Sequence, residues 1–590
     1  MRTPRSRFAA ASLFVFSAAL YLGLAGTPAL VDDDIDAAHA LVAREMLQRH
    51  DYVVPYQDGL RYLDRPPLHF WLVAGSYAAL GETELATRLP VALAVVGLVL
   101  LTFFFGRRFF GERAGIYAAL AIATSAGMYI FTRTVIPEAL YALEFTAIFY
   151  LFLRSWTGDL DPRLGYRGAA VVCALAVLTR GPIGVLFPVA TIALFLTITR
   201  SWHRWRELRI PSSAALFVAI AAPWHVLAAA RTPGFLWEYF VNENVRRALG
   251  TRTPHDYGAV PLWIWLPEHL LWLFPWSVFA VFLARALPRP RTWRDENPST
   301  QAAVLLFAWA AVILGFFCLE GGSRMEYYSF GAWPALALLL GRALARAEDR
   351  RDRRLLWIAR GLVVLAVLYA ATVNTFLRAA GHGNAASLAA DIQRHDADFY
   401  NNAMARVFDL TPRAFADLRA PLLVSAASLL VGFVAALWLR ERRRHVAAAA
   451  ATALGMTGVF VAANLAYRAL EPVLSSRALA SQISGILRPD DLVALYGDIR
   501  VAPGIAFYDH RRVLLLDAAN SDLEFGARFA DAPKTFYSID EFRPLWNGTS
   551  RVLLVAPEDK DEEIRREFPR SPLEVIAASG GKLAYVNRMR

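Results

Sequence analysis

Four aspartates fall within five positions, Asp32, Asp33, Asp34 and Asp36, in the stretch VDDDIDAAHALVAREM (31–46). The residues that follow have the pattern of an amphipathic helix, and helix capping accounts for one of these acids at most. Asp34 and Asp36 are therefore candidates for a general base that takes a proton from a hydroxyl. In RYLDRPPLHFW (61–71), Tyr62, Asp64 and Arg65 stand just before two prolines. The Arg65 guanidinium is a rigid, permanently charged fork suited to a phosphate. Arg180, in TRGPIG (179–184), lies between two apolar runs with no acid beside it in sequence. A cation at membrane depth needs an anionic partner, and a lipid phosphate is one. Glu138, a third catalytic candidate, opens an apolar run in TRTVIPEAL (132–140), where an acid also suits a helix N-terminus. GGSRMEYYSF (321–330) adds Arg324, Tyr327 and Tyr328 as substrate-binding candidates, although paired tyrosines also suit an interfacial belt. Asp64 and His255 are candidate ligands of a divalent cation, without the close spacing that marks a metal site.

The elements that must position these residues are membrane helices. The 590-residue chain is 56% hydrophobic and 19% charged, with a mean hydropathy of +0.36. Apolar runs recur from about residue 8 to about residue 466, and together they predict a polytopic α-helical membrane protein with about 13 transmembrane helices. The run at 68–82 is expected not to cross fully. The first run resembles a signal peptide but is longer than one, and is read as an uncleaved helix. The net charge of +11 comes almost wholly from arginine, with only Lys534, Lys560 and Lys582 as lysines. The arginines sit in short blocks between apolar runs, which orients helices and argues against nucleic-acid binding. That arrangement predicts a cytoplasmic N-terminus and outward loops at 31–87, 132–138, about 180, 231–260, 319–326 and 378–419. It also sends the region after 467 outward. Residues 1–467 are read as the membrane domain, including the external loop 31–87. Residues 468–590, with short β-rich runs such as DLVALYG and RVLLVA, are read as a small extracytoplasmic α/β domain. Cys173 and Cys318 lie in apolar runs and read as small buried hydrophobes.

All the residues with chemical potential fall on the outward loops. Carboxylates and arginines meeting at a lipid surface fit transfer of a sugar from a polyprenyl phosphate to an outside acceptor. A glycolipid, a glycan or a protein would serve as the acceptor. No nucleic-acid partner and no certain cofactor is expected, a divalent cation being the one candidate. A lipid-linked sugar transporter would need charge along the spans, which read as nearly uncharged. The absence of GxxxxGK[ST] argues against an ATP-driven pump.

Longer stretches carry a resemblance. AREMLQRHDYVVPYQDGLRYLDRPPLHFW, ELATRLPVAL, RTVIPEALYALEF, LTRGPIGVLFP, APWHVLAAARTPGFLWEYFVNEN and RMEYYSFGAWPALALLLGRAL occur in this order over about 44–345. In content and order they resemble the bacterial GT-C membrane glycosyltransferases, the family of the lipid A 4-amino-4-deoxy-L-arabinose transferases. The dolichyl-phosphate-mannose-protein mannosyltransferases are more distant relatives. The resemblance implies an undecaprenyl-phosphate sugar donor, inversion at the anomeric carbon, and a bacterial inner-membrane location. It places Asp64 and Arg65 at the Glu and Lys of the family's YxEKPP motif, Arg180 at the Lys of TKGPIG, and Glu138 at an Asp. Tyr327 or Tyr328 takes the tyrosine after the SK motif, and His255 lies near a metal-associated histidine of some relatives. The family's DExRYAEIxREM is rewritten here, with Ile35 and Asp36 in place of Asp-Glu and His39 in place of Tyr. The first-loop acid of the family therefore corresponds to Asp34 or Asp36.

Overall fold

The computed structural model describes residues 4–32, 35–255, 258–380, 418–518, 521–569 and 573–588. Six of its helices are long and apolar enough to cross a membrane: Glu84–Phe110, Ile210–Arg231, Pro298–Leu319, Arg354–Arg378, Arg419–Glu441 and His445–Ala469. Leu262–Trp272 and Trp276–Phe282 are bent by 104° at their junction and make a seventh if counted as one broken span. Pro275 sits at that break, where its missing N–H interrupts the helical ladder.

About 13 are expected from sequence. Length and composition alone single out fewer, for two reasons among the described residues. Some apolar runs make short helices. Leu68–Leu80 has 13 residues, about 20 Å at 1.5 Å per residue, short of the ~30 Å hydrocarbon layer. Others are interrupted or polar. Glu112–Thr124 stops at Ser125 and resumes as Ala126–Phe131. Glu138–Trp156 carries Glu138, Glu144 and Arg154, with both glutamates buried against protein. A helix surrounded by other helices need not be apolar all round.

The first loop contains the helix Asp36–Arg49 and a short hairpin, β1 (Tyr56–Gln57) and β2 (Leu60–Arg61). The C-terminal region forms a six-stranded sheet in the order β5-β4-β3-β6-β8-β7. Its strands are β3 (Leu492–Tyr496), β4 (Val513–Leu516), β5 (Phe536–Tyr537), β6 (Val552–Pro557), β7 (Glu574–Ser579) and β8 (Lys582–Val586). β3 pairs in parallel with β4 and β6, and β4 with β5, while β8 runs antiparallel to both β6 and β7. The central strand β6 is buried from Val552 to Ala556, which explains its unbroken apolar run.

The sheet region is fastened to the first loop. Asp32 accepts from Lys582 at 2.8 Å, Ser476 at 2.6 Å and the Gly504 N–H at 3.0 Å. Arg44 donates to the carbonyls of Ala506 and Phe507 at 3.1 and 2.6 Å. At the hairpin tip Asp58 accepts from the Val513 N–H at 3.1 Å, pinning the turn to β4.

Candidate active site

Four of the outward loops singled out in the sequence converge on one pocket. It is lined by Asp64, Arg65, Arg180, Glu243, Arg247 and Tyr328, among others, and has a volume of about 100 Å³. Each wall has a local reason to be where it is. Arg65 precedes Pro66 and Pro67, and the helix Leu68–Leu80 begins directly after them. Arg180 is the last residue of the helix Pro162–Arg180, where a cation complements the negative end of the helix dipole. Gly181 then turns the chain at φ +85°, a conformation that a side chain would strain, and Pro182 starts the next helix. Glu138 opens the helix Glu138–Trp156, at the positive end of its dipole.

Charge governs the interior. Arg180 lies 3.0 Å from Glu138 and its guanidinium stands over the Tyr328 ring, 5.3 Å from the centroid. Arg65 lies 3.6 Å from Asp64, a loose ion pair, and its Nε has no hydrogen-bond partner. Asp64 accepts from the Tyr62 hydroxyl at 2.9 Å through one oxygen, and its other oxygen accepts nothing. Burial pushes the Asp64 carboxyl above the usual carboxylate range, against the pull of Arg65. Burial opposes the Arg65 charge, but Asp64, Tyr62 and Tyr327 outweigh it, so Arg65 stays a cation. Glu243 pairs with Arg247 at 3.0 Å and with Arg252 at 2.8 Å. Arg252 also reaches Asp522 of the sheet region at 2.7 Å. A small anion entering this pocket would meet Arg65, Arg180 and Arg247, a donor set that fits a phosphate.

Several residues read as functional from sequence are placed elsewhere. Asp36 is fully buried and does not line the pocket. It pairs with Arg88 at 2.9 Å and accepts from the N–H groups of Val31 and Val135 at 2.9 and 3.0 Å. These contacts use the carboxylate to hold the fold, which corrects its reading as a catalytic base. Asp34 lies outside the described residues. Arg324 donates four hydrogen bonds, to the carbonyls of Val260, Phe317 and Glu320, and is buried. It is a backbone clamp, and the correction to its substrate-binding reading is that Phe317 and Glu320, which it holds, line the pocket instead. Tyr62 stands behind Asp64 and Tyr327 beside Tyr328, neither of them lining the pocket, whereas Tyr328 does. Of the two candidate metal ligands, Asp64 lines the pocket and His255 does not. Asp64 is engaged by Tyr62 and Arg65, His255 is exposed, and among the described residues no three His, Cys, Asp or Glu side chains group as metal ligands.

Comparison with known proteins fixes the class. The family model for dolichyl-phosphate-mannose-protein mannosyltransferases matches residues 64–227, the span that carries Asp64, Arg65, Glu138 and Arg180. The undecaprenyl phosphate-alpha-4-amino-4-deoxy-L-arabinose arabinosyl transferase of Aeromonas salmonicida is 25% identical over 543 residues, 89% of each chain. That of Pectobacterium carotovorum is 24% identical over 544 residues, 90% of each. The crystal structure of ArnT from Cupriavidus metallidurans bound to undecaprenyl phosphate shares the fold, with a TM-score of 0.81, 22% identity and 98% coverage of both chains. The chain is a membrane glycosyltransferase of the GT-C fold.

In this glycosyltransferase Arg247 and Glu243 belong to the pocket although sequence reasoning singled out neither. Their stretch, NENVRRALG, was legible as polar and outward. The signal that separates Arg247 from Arg246 is which side of the helix it occupies, and the unusual winding described below sets that side.

Proposed function

We propose that the enzyme transfers a sugar from a polyprenyl phosphate to a hydroxyl of an extracytoplasmic acceptor, with the phosphate held between Arg65, Arg180 and Arg247. The observation that carries this reading is the meeting of three arginines from separate loops in one pocket that also contains a carboxylate with a free oxygen. Relatives that use undecaprenyl phosphate-linked aminoarabinose, and the undecaprenyl phosphate bound to ArnT, support the donor class. Lipid A is the acceptor that this relationship favours.

Asp64 is the proton acceptor that the geometry favours. The acceptor oxygen attacks the anomeric carbon as its proton passes to Asp64. The bond from that carbon to the phosphate oxygen breaks, and the polyprenyl phosphate leaves with the electron pair. The new charge on the leaving phosphate falls among the arginines, where fixed cations in a water-poor site stabilise it most. A raised carboxyl pKa suits a base that must take a proton. Glu138, read from sequence as catalytic, serves here as the counter-ion that orients Arg180. On this reading the pocket and the sheet region lie on the extracytoplasmic side, with residues 1–467 as the membrane domain and 468–590 as the outer domain. The test is turnover of purified enzyme in proteoliposomes with undecaprenyl phosphate-sugar and lipid A, read by mass spectrometry. Transfer that vanishes in Arg65→Ala supports the reading, and transfer unaffected by Arg65→Ala and Arg180→Ala overturns it.

A further inference from the structure

The segment after the helix Ile210–Arg231 is a ten-residue π-wound helix, Trp237–Arg246. Such winding is rare beyond a single turn and is concentrated at functional sites. With more than four residues per turn, side chains four or five positions apart share a face. One face carries Glu238, Tyr239, Asn242 and Glu243, all buried. Asn242 donates to Glu238 and to the Thr253 carbonyl at 2.7 and 2.6 Å, and Tyr239, Glu243, Asn244 and Arg247 line the pocket. The other face carries Leu236, Trp237, Phe240, Val241, Val245 and Leu249, exposed by between 36% at Val241 and 70% at Leu249.

This amphipathicity is inverted. A helix on a water-exposed surface turns its polar side out and its apolar side in. Here polar side chains face protein and large apolar ones face outward, the arrangement of a segment whose outer solvent is hydrocarbon. The neighbouring span leads into it with the same chemistry, exposing Val226 and Leu227 in its last turns. Arg231 and Arg246 sit at its two ends, the latter over the Trp237 ring at 5.8 Å. Trp and Arg at such positions suit the headgroup level.

We propose that Leu236–Leu249 lies in the outer leaflet with its apolar face among lipid acyl chains, so that one helix separates the catalytic pocket from the bilayer. The occupant of the exposed face is the acyl region of the membrane, and the lipid tail of the donor passes beside it while the phosphate reaches Arg247 on the opposite face. The donor part rests on the function proposed above, and the membrane part does not.

Two measurements test it in proteoliposomes of phosphatidylethanolamine and phosphatidylglycerol. In a Cys318→Ala background, Leu249→Cys is labelled with an environment-sensitive fluorophore. Blue-shifted emission, quenched by spin-labelled lipid and not by aqueous iodide, is the expected result. Quenching by iodide alone overturns the proposal. In the second, Val245→Asp is expected to raise KM for an undecaprenyl-length donor by ~10-fold while leaving a short-chain donor nearly unchanged, as loss of lipid-dependent binding would. An equal loss with both donors overturns the donor part. If the unmodified enzyme turns over neither donor, the functional reading fails, and fluorophore quenching still decides the placement of the helix.

Discussion

Asp64 sits between opposing influences, a burial that favours its neutral form and a guanidinium 3.6 Å away that favours its anion. Burial is the larger, so its carboxyl titrates above the ordinary carboxylate range. A base works only when deprotonated. Activity should therefore fall as pH drops through this raised value, at a higher pH than an exposed aspartate would give, which is ~4. Asp64→Asn is expected to lose ~100-fold or more in kcat and to remove that acidic limb, measured as a pH profile of kcat. Arg65→Ala should cost ~100- to 1,000-fold in kcat, as removal of one group stabilising developing charge does elsewhere. Arg65 and Arg180 were legible because a permanent cation beside Pro or Gly at a membrane edge is hard to explain by packing. The role of Asp36 was not. Its type and position fit a base, and only the fold reveals that Arg88, Val31 and Val135 occupy its oxygens.

The backbone of one residue, Val135, shows how the elements are locked around the site. The Val135 N–H donates to Asp36 at 3.0 Å, and its carbonyl accepts from His39 Nδ1 at 2.9 Å and His69 Nε2 at 3.0 Å. Three side chains from two helices thus grip the loop that ends at Glu138, the partner of Arg180. Asp36→Ala leaves Arg88 as a buried charge without this partner and should cost ~3–5 kcal/mol, seen as a drop in Tm before any change in donor binding. Gly181→Ala tests the turn at the other side. At φ +85° a Cβ is strained, and it would lie 3.0 Å from the Tyr239 hydroxyl. A cost of ~1–2 kcal/mol with a displaced Arg180 is expected, read as lower Tm and raised donor KM. The helices themselves followed from apolar runs, since burial and hydropathy act locally. Which of them cross does not follow from length and hydropathy alone, because whether a run such as Glu138–Trp156 faces lipid or protein depends on its neighbours. In the sheet, β7 was not read among the β-rich runs, since EVIAAS is half exposed and short of the apolar continuity of β6.

Across the molecule two acids of the cluster, Asp32 and Asp36, serve the architecture. Asp36 ties the first loop to the membrane helices, and Asp32 ties it to the sheet region through Lys582, Ser476 and Gly504. No spacing rule links residue 32 to residue 582, so this docking was invisible to motif reading. It joins a second bridge, Arg252 between Glu243 and Asp522, which connects the sheet region to the pocket wall. Arg252→Ala should therefore weaken donor binding although the residue lies outside the pocket lining, an effect measurable as KM. The Asp32 contact also has a chemical consequence. The chain has three lysines. The side chains of Lys534 and Lys560 are 56% and 45% exposed, while that of Lys582 is 9% exposed and held by Asp32. An amine-acylating reagent should modify the first two quickly and the third only when the sheet region lifts away. Lysine acylation, counted residue by residue, thus supplies a natural clock for domain separation that needs no added probe.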